Sequence, residues 1–139
     1  MTQPTIYDLQ IGMISGLAEQ VVGPDQIRQF ANLTGDCDPI HVDDAYAAKT
    51  EYGRCIAHGV HILGLMSDRM LTRGRYAPNV SYGYDKVRFV RPLCAGETLI
   101  TQSRVIEIKA VESKVVIEES GRTEAGDVVA IAHHIFKFI

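Results

Sequence analysis

The sequence has few cysteines and no excess of positive charge. Its 139 residues include three cysteines, Cys37, Cys55 and Cys94, an odd count with no spacing typical of a zinc knuckle or a redox motif. Together, 14 Lys and Arg residues oppose 17 Asp and Glu residues, so the net charge is −3 and no nucleic-acid partner is predicted. This use of cysteine favours the reducing cytoplasm.

Long hydrophobic runs and targeting segments are also missing. Residues 60–66 contain a glycine, and residues 128–139 contain two histidines and a lysine, so neither apolar stretch is predicted to span a membrane. The first seven residues show no basic region followed by an apolar core, and they predict no secretory signal. Because no repeat, linker or low-complexity tract divides the chain, we expect a single domain over residues 1–139.

The first half of the sequence is helical in pattern, and the second half is rich in extended segments. Pro24 suits the first position of a helix, and Gly35 suits its end. A longer helix is predicted from Gly59 to about Arg73, and it is apolar on most of its circumference, as a buried helix would be. The predicted extended segments are residues 15–22, 80–90, 98–109, 114–124 and 127–139.

The later extended segments are joined by short connections, which predict antiparallel hairpins. Segregation of helices and strands indicates an α+β fold rather than alternating βαβ units. An early strand, a helix and four long strands follow the order of the hot-dog fold, in which a long antiparallel sheet wraps around a central helix. Such a sheet has an open edge strand that pairing with a second copy would cover, so we expect a homodimer.

A polar loop between the helices carries the residues best suited to chemistry. Asp36 and His41 lie five positions apart in a loop stiffened by Pro39, and a turn can bring both side chains to one point. A carboxylate and an imidazole there can hold and deprotonate a water molecule, because imidazole titrates near neutral pH. The same residues also allow a local role, in which Asp36 caps the turn and His41 bonds to the backbone.

This loop and the segment before the long helix resemble a known family. Residues 34–41 read Thr-Gly-Asp-Cys-Asp-Pro-Ile-His, and residues 56–59 read Ile-Ala-His-Gly. Both are similar to the MaoC-like, R-specific enoyl-CoA hydratases, whose hydratase motif runs Gly-Asp-x-Asn-Pro-x-His. Residues 88–92 and 95–98 also look like a strand and turn of that family, so the resemblance covers nearly the whole chain.

The resemblance implies a homodimeric hot-dog enzyme that adds water reversibly to a trans-2-enoyl-CoA and yields the (R)-3-hydroxyacyl-CoA, without a metal or another cofactor. In that family the Asp and His of the motif activate the water, and they match Asp36 and His41. The backbone N–H of a glycine at the helix start polarises the thioester carbonyl, which implies this role for Gly59. A serine farther along that helix lies in the family's active site, and the matching residue is Ser67.

Physical chemistry supports these assignments separately. Water addition pushes negative charge onto the thioester oxygen, so a hydrogen-bond donor must lie where that enolate forms. A free N–H at a helix N-terminus is such a donor, and Gly59 would let the acyl group come close. Ser67 lies a little over two helical turns later, where its hydroxyl either projects into the same cleft or bonds back to the carbonyl four residues before it.

One residue departs from the motif, because Asp38 stands where the family has Asn. An ionised Asp only accepts hydrogen bonds, whereas an Asn also donates them, so the internal bonds of the loop must differ. A second carboxylate beside Asp36 also bears on the rate and the pH optimum. We expect the loop to tolerate the change, since Asp and Asn serve turns similarly.

Other chemistries remain open from the sequence. The same reaction on an acyl carrier protein substrate, a hot-dog acyl-CoA thioesterase and a non-catalytic acyl-thioester-binding module share these features. A metal site is disfavoured because the nearby histidines and carboxylates lack a recognised ligand spacing. Cys37 is a poor candidate nucleophile, since a lone thiol is more often inert packing. His58 is predicted to orient the turn before Gly59.

Overall fold

Helices dominate the first half of the chain and strands the second. A computed structural model of the protein describes residues 2–67, 70–71 and 74–139. The helices are α1 (Pro24–Thr34), α2 (Pro39–Val42), α3 (Asp44–Ala47) and α4 (Gly59–Met66). The strands are β1 (Ala18–Val21), β2 (Asn79–Phe89), β3 (Thr98–Lys109), β4 (Lys114–Arg122) and β5 (Val128–Phe138). In these described ranges, every helix falls short of the length and apolarity needed to cross a membrane.

The described strands form one antiparallel sheet in the order β1-β3-β4-β5-β2. Burial alternates from Thr98 to Val105 along β3, so every second side chain faces the core. Strands β2 to β5 differ from the predicted segments by at most two residues at either end. The α+β class and the antiparallel sheet are therefore as predicted.

The sheet wraps around α4, which packs across β3, β4 and β5. Ile62 and Met66 of the helix pack against core residues of the sheet that include Leu99. Gly121 of β4 makes this close approach possible, because a Cβ atom there would lie 2.9 Å from Leu99 Cδ1 and 3.2 Å from Met66 Sδ. The arrangement is the predicted one, a long antiparallel sheet around a central helix.

The central helix is shorter than predicted. The apolar pattern predicts a helix from Gly59 to about Arg73, but α4 ends at Met66, and Ser67 has the non-helical angles φ −50° and ψ 132°. Four residues of the predicted extension lie outside the described chain: Asp68, Arg69, Thr72 and Arg73. The apolar residues beyond α4 belong to a different cluster, since buried Leu71 packs with the part of the core that includes the end of β5. The residues beyond α4 are apolar because they pack into that second cluster, and not because the helix continues.

The prediction of a buried helix holds only in part for the single chain. His61, Ile62 and Met66 are buried, but Val60 is 65% exposed. Gly59, at the start of α4, lies beside Phe89 at the end of β2, which is also exposed. One side of the central helix therefore remains open to solvent next to an apolar neighbour.

Candidate functional site

Asp36 follows directly from the end of α1. Gly35 ends the helix with φ 81°, a left-handed conformation that glycine adopts without strain, and its N–H donates to the Ala31 carbonyl. The Asp36 N–H donates to the Thr34 hydroxyl at 3.3 Å, and Asp36 Oδ1 accepts from the Asp38 N–H at 3.4 Å. These bonds fold the loop onto the end of α1 and leave Asp36 exposed.

Asp38 starts α2, a one-turn helix that the sequence analysis missed. Its Oδ1 accepts from the Ile40 N–H at 3.1 Å, and Pro39 occupies the first helical position. Capping needs only an acceptor, so an aspartate serves here as the asparagine of the motif would. An Asp followed by Pro is a typical helix start, and this signal could have revealed α2. The helix carries His41, whose N–H donates to the Asp38 carbonyl at 2.9 Å.

The imidazole of His41 is oriented by a main-chain carbonyl. Its Nδ1 lies 2.7 Å from the Ile56 oxygen, and because a carbonyl only accepts, Nδ1 carries the proton. Nε2 is therefore the basic nitrogen of the neutral ring. The Ile56 N–H donates in turn to the Ile40 carbonyl at 3.2 Å, which ties this segment to α2. The half-buried imidazole thus presents a base of defined orientation.

A second histidine joins Asp36 and His41. His58 is 3% exposed, and its Nε2 lies 2.8 Å from the main-chain oxygen of Asp36. Its ring stacks on the ring of His41, with 3.8 Å between the centroids. Polar side-chain atoms of the three residues lie within 4.8 Å of one another. The fold therefore brings Asp36 and His41 together, as their spacing in the loop predicts, and adds His58 from the start of α4.

Gly59 lies beside this cluster, on the wall of a cleft of about 350 Å³ that His41, Ile62 and Phe89 also line. It is the first residue of α4, whose N-terminus has no side-chain cap. No hydrogen bond from the Gly59 N–H to a described residue is present. A Cβ atom at this position would lie 2.9 Å from the Phe89 ring, so a larger residue would displace that ring. Uncapped N–H groups and the helix dipole favour a negatively charged oxygen here.

Ser67 lies away from this cleft, just beyond the other end of α4. The eight positions that separate it from Gly59 correspond to about 12 Å along a helix axis. Its side chain shares a hydrogen bond with Tyr84 of β2, whose pKa is raised to about 12, chiefly by burial and then by the charge of Glu119. Tyr84 in turn stacks on the buried ring of His134, with centroids 3.9 Å apart. The substrate-binding role of Ser67 stays a prediction.

Phe30 of α1 packs against His58, and its other contact is with His61 of α4, which lies outside the acid–base pair. Phe30 belongs to the apolar stripe of α1, and its ring lies 4.8 Å from that of His58 and 4.7 Å from that of His61, centroid to centroid. Burial lowers the pKa of His61 below its usual value, and the nearby His58 lowers it further. Burial therefore disfavours a positive charge on His61. The helical spacing of Phe30 was the sequence signal for this packing.

Within the described part of the chain, this cluster could offer a metal ion three ligands, one each from Asp36, His41 and His58. The two imidazoles stack at an interplanar angle of 23°, so their in-plane lone pairs lie in nearly parallel planes. One metal ion bound to both rings would have to lie close to both planes. One nitrogen of each ring is already engaged by a main-chain oxygen. This geometry is poorly shaped for a metal ion and well shaped for proton transfer.

Comparison with known sequences places these residues within a described family. The family described as MaoC like domain matches residues 9–126. The chain is 33% identical over 101 residues to the 3-hydroxybutyryl-CoA dehydratase of Methylorubrum extorquens, covering 73% of this chain and 63% of that protein. It is 32% identical over 122 residues to the (R)-specific enoyl-CoA hydratase of Rhodospirillum rubrum, covering 88% of this chain and 83% of that protein. The chain thus spans less than two thirds of the first relative.

A solved structure supports the same relationship. The R-hydratase of Pseudomonas aeruginosa in its unliganded form superposes with a TM-score of 0.85 at 26% sequence identity, covering 98% of this chain and 86% of that one. Such a score over nearly the whole chain confirms the predicted hot-dog architecture. Together with the sequence match over residues 9–126, it confirms the resemblance read from the loop and the start of α4.

Proposed function

The chain belongs to the MaoC-like domain family, and from that premise we propose that it adds water reversibly to a trans-2-enoyl-CoA, giving the (R)-3-hydroxyacyl-CoA. The observation that carries the proposal is the convergence of Asp36 and His41 beside the uncapped helix start at Gly59. Hydration needs a base for the water and a donor for the thioester oxygen, and these groups supply both. Relatives named as a dehydratase and an (R)-specific hydratase support the same chemistry in its two directions.

In this mechanism His41 and Asp36 act on one water molecule. Asp36 accepts a hydrogen bond from the water and orients it, while His41 Nε2 takes one of its protons. The water oxygen bonds to C3 of the enoyl group, and the electron pair of the double bond moves towards the thioester oxygen. When the enolate collapses, C2 takes up a proton from the same acid–base pair. Water is thus consumed with no net gain or loss of protons by the enzyme.

The N-terminus of α4 stabilises the charge that develops on the thioester oxygen. The Gly59 N–H is unused by the described residues, and the helix dipole places partial positive charge at this end. Ile56 and Ile62 line the cleft with apolar surface, and a bound acyl group that displaces water from it would strengthen such a hydrogen bond. The donor then acts mainly on the transition state, where the oxygen carries its charge.

The test is a hydration assay with crotonyl-CoA and longer enoyl-CoA substrates, followed by chiral analysis of the product. We expect loss of the absorbance of the conjugated double bond and formation of the (R)-3-hydroxyacyl-CoA. Release of free thiol together with the free enoic acid would instead indicate a thioesterase, and binding without turnover would indicate a non-catalytic module. A chain-length series also tests Ser67, because only acyl chains that extend about 12 Å along α4 would reach it.

The carrier of the acyl group is a separate question with a matched experiment. Crotonyl-CoA and the crotonyl thioester of an acyl carrier protein differ only beyond the pantetheine arm, so a comparison of their kcat/KM values isolates the carrier. We expect the CoA thioester to be the better substrate, in line with the CoA-named relatives. A higher kcat/KM for the carrier-protein substrate would keep the chemistry and change the physiological partner.

We propose that the active form is a homodimer. β2 lies at one edge of the sheet, is 11 residues long, and carries Val80 and Tyr82 as exposed side chains. Phe89 at the other end of β2 and Val60 of α4 are also exposed apolar side chains. A second copy would cover both the sheet edge and the open side of α4. Sedimentation at assay concentration should give a dimer, and a fully active monomer would contradict the proposal.

The cysteines support a cytoplasmic location, which we also propose. Cys37, Cys55 and Cys94 are free. Burial raises the pKa of the Cys55 thiol, and the neighbouring Asp44 carboxylate raises it further, so this group is a poor nucleophile at neutral pH. Unpaired thiols of this kind persist in a reducing compartment. A disulfide in protein isolated from cells without reductant would contradict this location.

A further inference from the structure

His58 contacts both members of the proposed acid–base pair. It is the N-cap residue of α4 and is 3% exposed, so its ring is enclosed rather than open to a substrate. On one side its Nε2 lies 2.8 Å from the main-chain oxygen of Asp36. On the other, its ring stacks on His41 at a centroid distance of 3.8 Å. One buried side chain therefore joins two residues that come from different parts of the loop.

The main-chain contact determines which nitrogen of His58 carries the proton. Since the Asp36 carbonyl only accepts, the proton is on Nε2. Nδ1 is then a buried acceptor, and it has no hydrogen-bond partner among the described residues. Leaving a buried acceptor unsatisfied is unfavourable, and an apolar ring would fill the same space without that penalty. Packing alone therefore does not explain why a histidine stands at this position, whereas the hydrogen bond donated by Nε2–H does.

The bond to His58 is also the shortest that the described structure gives to Asp36. The other two bonds of Asp36 are local, at 3.3 Å to Thr34 and 3.4 Å to Asp38. The bond to His58 spans 22 positions and connects the loop to the start of α4. Because Gly59 is the next residue, the same connection relates Asp36 to the helix N-terminus that faces the cleft.

We propose that His58 is a positioning residue, which holds Asp36 through its Nε2–H and His41 through the ring stack in register with the start of α4. The inference rests on the proposed hydration by Asp36 and His41. His58 contributes to the reaction only by positioning the acid–base pair, because its ring exchanges no proton with the substrate. A misplaced acid–base pair slows the chemical step more than it weakens substrate binding.

Two substitutions separate the hydrogen bond from the stack. His58→Phe keeps a ring against His41 but removes the donor, and His58→Gln keeps an amide N–H donor but removes the ring. The matched control is His61→Gln, since His61 is also buried on α4 but stacks on Phe30 and has no described contact with the acid–base pair. Thermal unfolding of each variant reports whether the fold is retained.

We expect His58→Phe to lower kcat by about 100-fold with little change in KM, the order of loss for a displacement of about 1 Å in a catalytic group. His58→Gln should recover about tenfold of that loss through its amide donor, the rate equivalent of about one hydrogen bond. His61→Gln should stay near the wild-type kcat. Equal kcat values for folded His58→Phe and His61→Gln would overturn the proposal. A His58→Gln variant with wild-type kcat and a disordered Asp36 loop would also overturn it, because catalysis would then not depend on the position of Asp36.

A measurement without turnover keeps this proposal distinct from the proposed function. Long-range 1H–15N correlation spectra read histidine tautomers directly, and we expect Nδ1–H at His41 and Nε2–H at His58. The His41 signals should shift in both His58 variants and remain unchanged in His61→Gln. The opposite tautomer at His58, or unchanged His41 signals, would overturn the positioning role. An enzyme with the expected spectra but no hydration of any enoyl thioester would overturn only the proposed function. If His58→Phe does not fold, the kcat of His58→Gln and the tautomers in the wild-type spectrum still test the positioning role.

Discussion

Asp36→Asn should lower the kcat for hydration of crotonyl-CoA by about 1,000-fold, within the usual contribution of a general acid–base group. The amide has nearly the shape of the carboxylate and keeps an oxygen to accept the Asp38 N–H. It carries no negative charge and cannot exchange a proton with the substrate. Because Asp36 is exposed, we expect the melting temperature to stay close to that of the wild type. The loss of enoyl absorbance measures the rate.

The neighbouring carboxylate supplies the matched control. Asp38→Asn makes the same chemical change two residues away and restores the residue of the family motif. Since Asp38 acts as an acceptor that caps α2, an asparagine should cap it equally well and leave the hydration rate near the wild-type value. A near-normal rate for Asp36→Asn, or an equal loss in both variants, would contradict the assignment of Asp36 as the carboxylate that acts on water.

His41→Gln is the second change with a large expected effect. It removes Nε2, the ring nitrogen opposite the Nδ1–H that donates to the Ile56 carbonyl, and we expect kcat to fall by about 1,000-fold in the same absorbance assay. A glutamine amide does not accept a proton at neutral pH. His133→Gln serves as the control, because His133 lies on β5 and pairs with Glu118 rather than with the cleft residues.

The double variant tests whether Asp36 and His41 act as one unit. If both hold the same water molecule, the combined variant should lose little more activity than the slower single variant. Independent contributions would instead multiply to a loss of about a millionfold. A strongly additive result would mean that the two side chains contact different molecules, and it would contradict the shared-water mechanism even if each single variant is slow.

The sequence predicted that Asp36 and His41 lie close together because the interactions that shape their loop are local. Asp36 and His41 lie within one short loop, and the bonds that shape it join residues two to three positions apart. Gly35 indicates the end of α1, and Pro39 indicates a stiff loop, because both residues have strong backbone preferences of their own. A one-turn helix at Asp38 escaped detection because its four residues are too few to show a helical period.

The length of α4 was the clearest error, and its cause is equally physical. Leu71 is apolar because it fills a second core cluster, yet it follows the helical pattern that begins at Gly59. A pattern of apolar residues records burial and not the element that achieves it. Ser67, beyond the end of the helix, is thereby directed towards Tyr84 of β2.

By itself the sequence determined the α+β class, the antiparallel strands and the pairing of Asp36 with His41 in one loop, because helix ends, strand alternation and turns depend on neighbouring residues. The tertiary structure alone decided that Ile56 orients His41 and that His58 joins Asp36 to the start of α4. These contacts span 15 and 22 positions and form only when the loop after α1 packs against the segment that leads into α4. Side-chain identity permits such contacts, but the packing of distant segments selects them.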